Sequence, residues 1–274
     1  MRLLGKKALV TGASQGIGKA IALRLAAEGC AVVVHFYENT ADANAVAETI
    51  RAGGGTAHTL QADLADLTQA IRLGEDAWDV AGGLDFLVNN AGISFKKHFL
   101  DFCPADFEAF TNVNFRSTTF LTQTVARKMV ESGTEGSIYT ITSVNGIRPG
   151  LGLSLYGATK GALETLMKGA AMELAPHGIK VNTLALGAID TDMTAVVQQN
   201  PGLLKTVNDG IPAGRFGQPD EVAAVVVDLL HSGSYVTGAT ITIDGGLLLM
   251  RGYGKLEQYR PQPPKEANEK RSDP

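Results

Sequence analysis

The chain has 274 residues, of which 45% are hydrophobic and 19% are charged, a composition typical of a globular protein with a sizeable core. Its net charge of −4 gives no electrostatic reason to expect a nucleic acid or an anionic membrane as a partner. The 32 glycines follow no strict period, which excludes a collagen-like repeat.

Strand-like and helix-like segments alternate along the chain. Strands are predicted at residues 7–11, 31–36, 56–61, 84–89, 137–141, 180–184 and 239–243. Helices are predicted at residues 16–29, 42–52, 66–81, 104–110, 111–131, 154–174 and 220–231, with an irregular stretch at 187–219. Continuous apolar runs, such as residues 31–34, indicate strands buried on both faces, as in a parallel sheet.

This order predicts an α/β protein with one doubly wound, Rossmann-type domain. Right-handed crossovers would join about seven parallel strands into one sheet with helices on both faces. We expect the domain to span residues 1–254. Residues 255–274 are charged, proline-rich and poor in large apolar side chains, so they are predicted to be a flexible tail.

A glycine-rich turn joins the first predicted strand to the first predicted helix, with the sequence Thr11-Gly12-Ala13-Ser14-Gln15-Gly16-Ile17-Gly18. Glycines there allow a tight turn and let the backbone approach a pyrophosphate, while the helix N-terminus offers N–H groups to the phosphates. A turn without a ligand is the alternative. The position at the start of a βαβ unit favours a dinucleotide site.

The spacing of this turn and five further sequence features resemble the short-chain dehydrogenase/reductase family. Asn89-Asn90-Ala91-Gly92 is similar to the family's NNAG segment, and Tyr156 and Lys160 have its YxxxK spacing. The other matching positions are Asp63, Asn114 and Ser143. The resemblance runs from Lys6 to about Met250 and implies an enzyme that transfers a hydride between NAD(P) and a carbonyl or secondary alcohol.

The resemblance implies a catalytic role for four side chains. Tyr156 would exchange a proton with the substrate oxygen, and Lys160, one helical turn further along, would lower the pKa of the phenol and hold the nicotinamide ribose. Ser143 would donate a hydrogen bond to the substrate oxygen, and Asn114 would anchor a water that links Lys160 to solvent. The alternative is a non-catalytic dinucleotide-binding regulator on the same fold.

The resemblance also implies which residues bind the cofactor. They are expected to be Gly12, Ser14, Gln15, Gly16, Ile17, Gly18, Tyr37, Asp63, Leu64, Asn90, Ala91, Gly92, Tyr156, Lys160, Ile189 and Thr191. Phe36 stands where NAD-selective members have an aspartate. Without that carboxylate we expect NADP, with NAD as the alternative in which Glu38 reaches the ribose.

The substrate is less well defined by the sequence. Different segments resemble microbial glucose 1-dehydrogenases and 3-oxoacyl-acyl-carrier-protein reductases, so a sugar-like and a 3-oxoacyl-like substrate both stay open. Arg148, Lys96 and Lys97 either border the cleft and bind an acidic or polyhydroxylated substrate or form a solvated rim. Leu186 replaces the family's usual proline, and we expect a proline there to stiffen the turn and tighten cofactor binding.

Other features of the sequence concern partners and location. The five histidines have no metal-ligand spacing, and Cys30 and Cys103 are expected to be reduced thiols, so no metal or disulfide is predicted. No apolar run approaches the ~20 residues of a membrane span, and a cytoplasmic protein is expected. The predicted helix at 154–174 is apolar on more than one face, which predicts a homo-tetramer or homo-dimer.

Overall fold

The computed structural model describes residues 1–250, and the predicted tail and the domain boundary at 254 lie outside them. The strands are β1 (Lys7–Val10), β2 (Ala31–Phe36), β3 (Ala57–Gln61), β4 (Phe86–Asn89), β5 (Ser137–Ser143), β6 (Lys180–Leu186) and β7 (Thr240–Ile243). The helices are α1 (Gly16–Ala27), α2 (Thr40–Ala52), α3 (Leu67–Ala81), α4 (Pro104–Phe110), α5 (Ser117–Ser132), α6 (Ser154–Leu174), α7 (Ala195–Gln198), α8 (Pro201–Asp209) and α9 (Pro219–Ser232).

All seven strands join one parallel sheet in the order β3-β2-β1-β4-β5-β6-β7. The predicted doubly wound α/β fold is therefore confirmed. β1 lies between β2 and β4, so the strand order reverses there, and such a switch point opens a crevice at the carboxyl ends of the strands.

The sheet is buried on both faces. Successive strand side chains point to opposite sides, so Val34 packs with α1, α2 and α9, whereas its neighbour Val33 packs with α3, α5 and α6. This two-sided burial explains the continuous apolar runs. No helix within residues 1–250 combines the length and apolar character that crossing a bilayer needs.

Two sequence predictions about the helices were wrong. Residues 111–131 are not one regular helix, because Thr111–Arg116 forms a π-helical segment before α5 begins. Residues 187–219 are not irregular throughout, since α7 and α8 lie within them. Asn200 is the N-cap of α8, since its side-chain oxygen accepts hydrogen bonds from the N–H groups of Gly202 and Leu203. Hydrophobic periodicity does not detect such a helix boundary.

Candidate functional site

A cavity of about 580 Å³ opens at the carboxyl ends of the strands, where the sheet order reverses. Its walls come from the β1–α1 turn, the segments after β2, β3 and β4, the end of β5, the start of α6 and the segment after β6. Of the residues predicted from the sequence, those that line it are Gly12, Ser14, Gln15, Gly16, Ile17, Tyr37, Asp63, Leu64, Asn90, Ala91, Gly92, Ser143, Tyr156, Lys160, Ile189 and Thr191. Gly18 and Asn114 lie outside the lining.

The β1–α1 turn presents backbone to the cavity. Gly12 has a φ of +61°, which favours glycine, and its carbonyl accepts a hydrogen bond from Asn90 Nδ2 at 3.1 Å. A Cβ on Gly18 would lie 2.2 Å from the Gly12 carbonyl oxygen, so Gly18 serves close packing beneath the turn. The N-cap residue of α1, Gln15, makes no side-chain cap, which leaves the first N–H groups of the helix to an anion.

His35 is a site residue that the sequence analysis missed. It is buried at the end of β2, and its Nδ1 accepts the Gly12 N–H at 3.0 Å while its Nε2 lies 3.2 Å from the Ala62 carbonyl. Burial lowers the pKa of His35 to about 4, against the opposing effect of the bond to Ala62. A neutral imidazole therefore supports the turn. The only signal in the sequence was a polar residue following the apolar run of β2.

The far end of the cavity is acidic. Tyr37 is about half exposed, and the nearby Asp63 and Glu38 raise the pKa of its phenol. Within residues 1–250, Lys160 is the one lysine or arginine that lines the cavity. Phe36 lies in the core between the sheet and its helices, not in the lining, and its role as the cofactor-selecting position stays a prediction.

Tyr156 and Lys160 project from the first turns of α6 beneath the carboxyl end of β5. Lys160 is buried, its Nζ donates to the Ile141 carbonyl at 2.9 Å, and it lies 5.7 Å from the centre of the Tyr156 ring. Burial lowers the pKa of Lys160 to about 8.

Burial also raises the pKa of Tyr156, although a hydrogen bond with Ser143 acts in the opposite direction. In the protein alone the net shift is therefore upward, because removal of the phenol from water outweighs the other effects. The lowering of this pKa by Lys160 stays a prediction.

Asn114 lies within the π-helical segment and is fully buried. Its Oδ1 accepts the Ile93 N–H at 2.8 Å and its Nδ2 donates to the Ile93 carbonyl at 3.0 Å, so it holds the irregular segment that follows the NNAG motif. A Cβ on Gly92 would lie 3.1 Å from Asn114 Oδ1 and 3.4 Å from Lys160 Nζ. The Asn114 amide and the Lys160 ammonium therefore both lie close to Gly92.

Leu186 ends β6 as a full member of the sheet. It pairs with Ser143 on one side and with Ile243 on the other, and the Gly187 N–H bonds to Ile243. The Leu186 N–H therefore points towards β5, because adjacent N–H groups of a strand alternate in direction. A proline would lose this donor to the ladder, which argues against the condition for tighter cofactor binding, namely a backbone that already suits proline.

Two of the three cations expected at the rim, Lys97 and Arg148, are engaged elsewhere. Lys97 binds Asp106 at 2.5 Å, and the guanidinium of Arg148 donates to the carbonyls of Leu247 at 2.9 Å and Met250 at 2.7 Å. Neither lines the cavity. Their role is to anchor the segment before α4 and the end of the described chain, and they do not present charge to an acidic substrate.

Comparisons with known proteins agree with this architecture. A family model described as enoyl-(acyl carrier protein) reductase matches residues 12–248. The 3-oxoacyl-[acyl-carrier-protein] reductase of Aquifex aeolicus is 39% identical over 249 residues, covering 90% of this chain and 99% of the relative. The L-rhamnose 1-dehydrogenase (NAD(P)(+)) of Azotobacter vinelandii is 37% identical over 253 residues, covering 91% of this chain and 99% of the relative.

The solved structures include a short-chain dehydrogenase from Burkholderia cenocepacia in complex with NADP. It superposes with a TM-score of 0.84 at 37% sequence identity, and the match covers 90% of this chain and 100% of that one.

Proposed function

This chain belongs to the short-chain dehydrogenase/reductase family of NAD(P)-dependent oxidoreductases, and on that premise we propose that it interconverts a carbonyl and a secondary alcohol with Ser143, Tyr156 and Lys160. The observation that carries the proposal is one shared cavity. The glycine-rich turn lines one part of it, and these three side chains line another. Such a cavity can hold a dinucleotide with its reactive end beside a proton donor.

The turn suits a dinucleotide on structural grounds. Gly12 and Gly16 have positive φ, the N-terminus of α1 lacks a side-chain cap, and its first turn contains no acidic residue. Phosphate oxygens would meet backbone N–H groups there. When bound, the nicotinamide supplies or accepts the hydride.

The protein's own contribution is control of a proton and of orientation. Because burial raises the pKa of Tyr156, its phenol is protonated at neutral pH and can donate to a substrate carbonyl oxygen. Ser143 would hold the same oxygen with its hydroxyl. For alcohol oxidation the phenolate is needed, and the ammonium of Lys160 is the nearby charge that favours it. Asn114 would connect Lys160 to solvent through a water.

For the cofactor we assign NADP, with NAD as the alternative. The similar Burkholderia structure carries NADP, and the Azotobacter relative is named for both cofactors. For the substrate, the relatives support either a sugar or a 3-oxoacyl thioester. Because Lys97 and Arg148 are engaged in structural contacts, we favour recognition of hydroxyl or carbonyl groups over recognition of a carboxylate.

The test is turnover of L-rhamnose and of a 3-oxoacyl thioester with each cofactor, in the wild type and in Tyr156→Phe. We expect the variant to bind the cofactor normally and to lose about 10²–10⁴-fold in kcat, because only the acidic proton is removed. Tyr235→Phe, at a fully exposed tyrosine, is the matched control. Near-normal turnover by Tyr156→Phe would refute the mechanism. Cofactor binding without turnover of either substrate, or of a wider alcohol panel, would favour the non-catalytic regulator.

A further inference from the structure

The hydroxyl oxygen of Ser143 has two donors from one residue. The backbone N–H of Asn145 and the side-chain Nδ2 of Asn145 each donate to Ser143 Oγ at 3.2 Å. A serine hydroxyl accepts through two lone pairs and donates one proton. Both acceptor positions are thus occupied by Asn145, and the proton is what Ser143 has left to offer.

The amide of Asn145 is oriented by a third contact. The Gly150 N–H approaches the other end of the amide at 2.8 Å, and an N–H group can only donate, so the atom that it meets is Oδ1. This leaves Nδ2 facing Ser143. The assignment of the two amide atoms therefore follows from the network, and Asn145 presents a donor and not an acceptor to the serine.

The backbone of Asn145 also packs closely against the helix that carries Tyr156. A Cβ on Gly157 would lie 2.5 Å from the Asn145 carbonyl oxygen, and one on Gly146 would lie 2.8 Å from the Gly161 nitrogen. Only glycine lets the two segments approach so closely. The loop that orients Ser143 is therefore held in a set position relative to Tyr156 and Lys160.

With both lone pairs of Oγ engaged, the groups of the described chain left to the Ser143 proton are the Tyr156 hydroxyl, with which Ser143 is hydrogen-bonded, and the Leu186 carbonyl. The Leu186 carbonyl lies 3.4 Å from Oγ, near the outer limit for a hydrogen bond. We propose that Asn145 is a positioning residue that forces Ser143 to act as a hydrogen-bond donor to the substrate oxygen. This inference rests on the function proposed above, in which Ser143 contacts that oxygen.

The substitution that tests it is Asn145→Asp, which keeps the size of the side chain and an oxygen for the Gly150 N–H. Its second carboxylate oxygen would face Ser143 as an acceptor and draw the hydroxyl proton away from the substrate. We expect kcat for carbonyl reduction to fall about 10²-fold at neutral pH, the size of effect seen when one donor to a developing oxyanion is lost. The Kd for the cofactor should stay within roughly twofold of wild type, because Asn145 does not line the cavity.

A pH profile separates this role from a merely structural one. Once the introduced carboxyl group is protonated, it can donate to Ser143, so the activity of Asn145→Asp relative to wild type should recover as the pH falls. Tyr156 and Lys160 are the titratable groups that line the cavity beside Ser143, and division by the wild-type profile removes their contribution. Asn44→Asp, on the exposed face of α2, is the charge-matched control and should show no such profile.

The Ser143→Ala variant distinguishes a failure of the catalytic role of Ser143 from a failure of the positioning role of Asn145. If Ser143→Ala alone keeps wild-type turnover, the proposed catalytic role of Ser143 fails. If Ser143→Ala is inactive while Asn145→Asp matches wild type at every pH, the positioning proposal fails by itself. In the double variant, Asn145→Asp should lower kcat no further than Ser143→Ala does alone. If Asn145→Asp lowers kcat by the same factor with and without Ser143, Asn145 acts independently of the serine. Thermal unfolding of each variant verifies that it is folded.

Discussion

The imidazole of His35 accepts the backbone N–H of Gly12 at 3.0 Å, although the two residues lie on different strand-to-loop junctions. The other ring nitrogen lies 3.2 Å from the Ala62 carbonyl, after β3. One side chain thus ties together the segments that follow β1, β2 and β3. Because an acceptor at Nδ1 requires the neutral ring, the support that His35 gives to the turn depends on its protonation.

We predict a stability contribution from His35 that is lost on acidification. Its folded-state pKa of about 4 lies below the usual 6.5, so between these values the unfolded chain binds a proton that the folded chain does not. The free energy of unfolding should therefore fall as the pH drops from about 6.5 to about 4, and the contribution of His35 to this loss is up to ~3 kcal/mol. The free energy of unfolding of His35→Asn should be well below that of wild type at pH 7.5, and this difference should shrink as the pH falls from about 6.5 to about 4.

Urea unfolding at several pH values measures this difference, with His58→Asn in β3 as the control. The carboxyl groups whose pKa is lowered to about 2, such as Asp106, titrate at lower pH and are present in all variants. A deficit for His35→Asn that is the same at pH 7.5 and pH 4 would contradict the prediction.

Lys160→Met should abolish turnover, weaken dinucleotide binding and make the protein more stable. Burial lowers the pKa of Lys160 to about 8, and keeping this ammonium buried at pH 7 costs about 3 kcal/mol. Loss of the hydrogen bond from this charged group to the Ile141 carbonyl offsets about 1.5–3 kcal/mol of that gain. A net stabilisation of up to about 1.5 kcal/mol at pH 7 is therefore expected.

The gain should disappear as the pH rises from about 8 to 10.5, because the folded wild type then loses its proton before the unfolded chain does. Denaturant unfolding and cofactor titration check the two effects. Lys168→Met, at an exposed position of the same helix, should change the stability by less than about 0.5 kcal/mol. A less stable Lys160→Met protein would show that the Ile141 bond outweighs the burial of charge.

Cofactor preference should respond to Tyr37 and not to Phe36. Tyr37 lines the cavity beside Glu38 and Asp63, so Tyr37→Arg would add the cation that this edge lacks and should raise the affinity for NADP relative to NAD by about 10–100-fold. Tyr37→Gln, without the charge, is the matched control. Phe36→Asp would place a carboxylate in the core and should destabilise the protein by several kcal/mol.

Kd values for both cofactors, with the melting temperatures of all three variants, test this prediction. An equal change in both Kd values for Tyr37→Arg would mean that the 2′-phosphate lies elsewhere. A stable Phe36→Asp variant that prefers NAD would restore the selectivity role first expected for this position.

The exposed side of α6 should form a contact between copies of the chain. Ala158, Thr165, Gly169 and Met172 follow helical spacing on its solvent side, Met172 is 79% exposed, and a Cβ on Gly169 would meet open space. We expect a dimer or tetramer in solution. Gly169→Arg should reduce the particle mass towards the 28.7 kDa of one chain.

Light scattering gives the mass directly. Replacement of glycine by arginine inside a helix favours helix formation by up to about 1 kcal/mol, so the separated chain should remain folded. Ala52→Arg, at the exposed end of α2, should leave the mass unchanged. A wild type that is monomeric at micromolar concentration would exclude the contact.

The sequence alone determined the succession of strands along the chain, the doubly wound class and the turn at which a dinucleotide is expected to bind. The seven strands were predicted because buried strands carry continuous apolar runs, and α6 was predicted with its observed bounds, Ser154–Leu174. The glycine-rich turn was identified because backbone that must approach a ligand needs glycine at defined spacing. These features depend on local patterns, so they can be read from neighbouring residues.

The tertiary structure decided what depends on residues far apart in the chain. The bond between His35 and Gly12, the core position of Phe36 and the engagement of Arg148 with the carbonyls of Leu247 and Met250 all arise from packing of distant segments. The direction of the pKa shift of Tyr156 was decided in the same way, because desolvation depends on every group that surrounds the phenol and not on its spacing from Lys160.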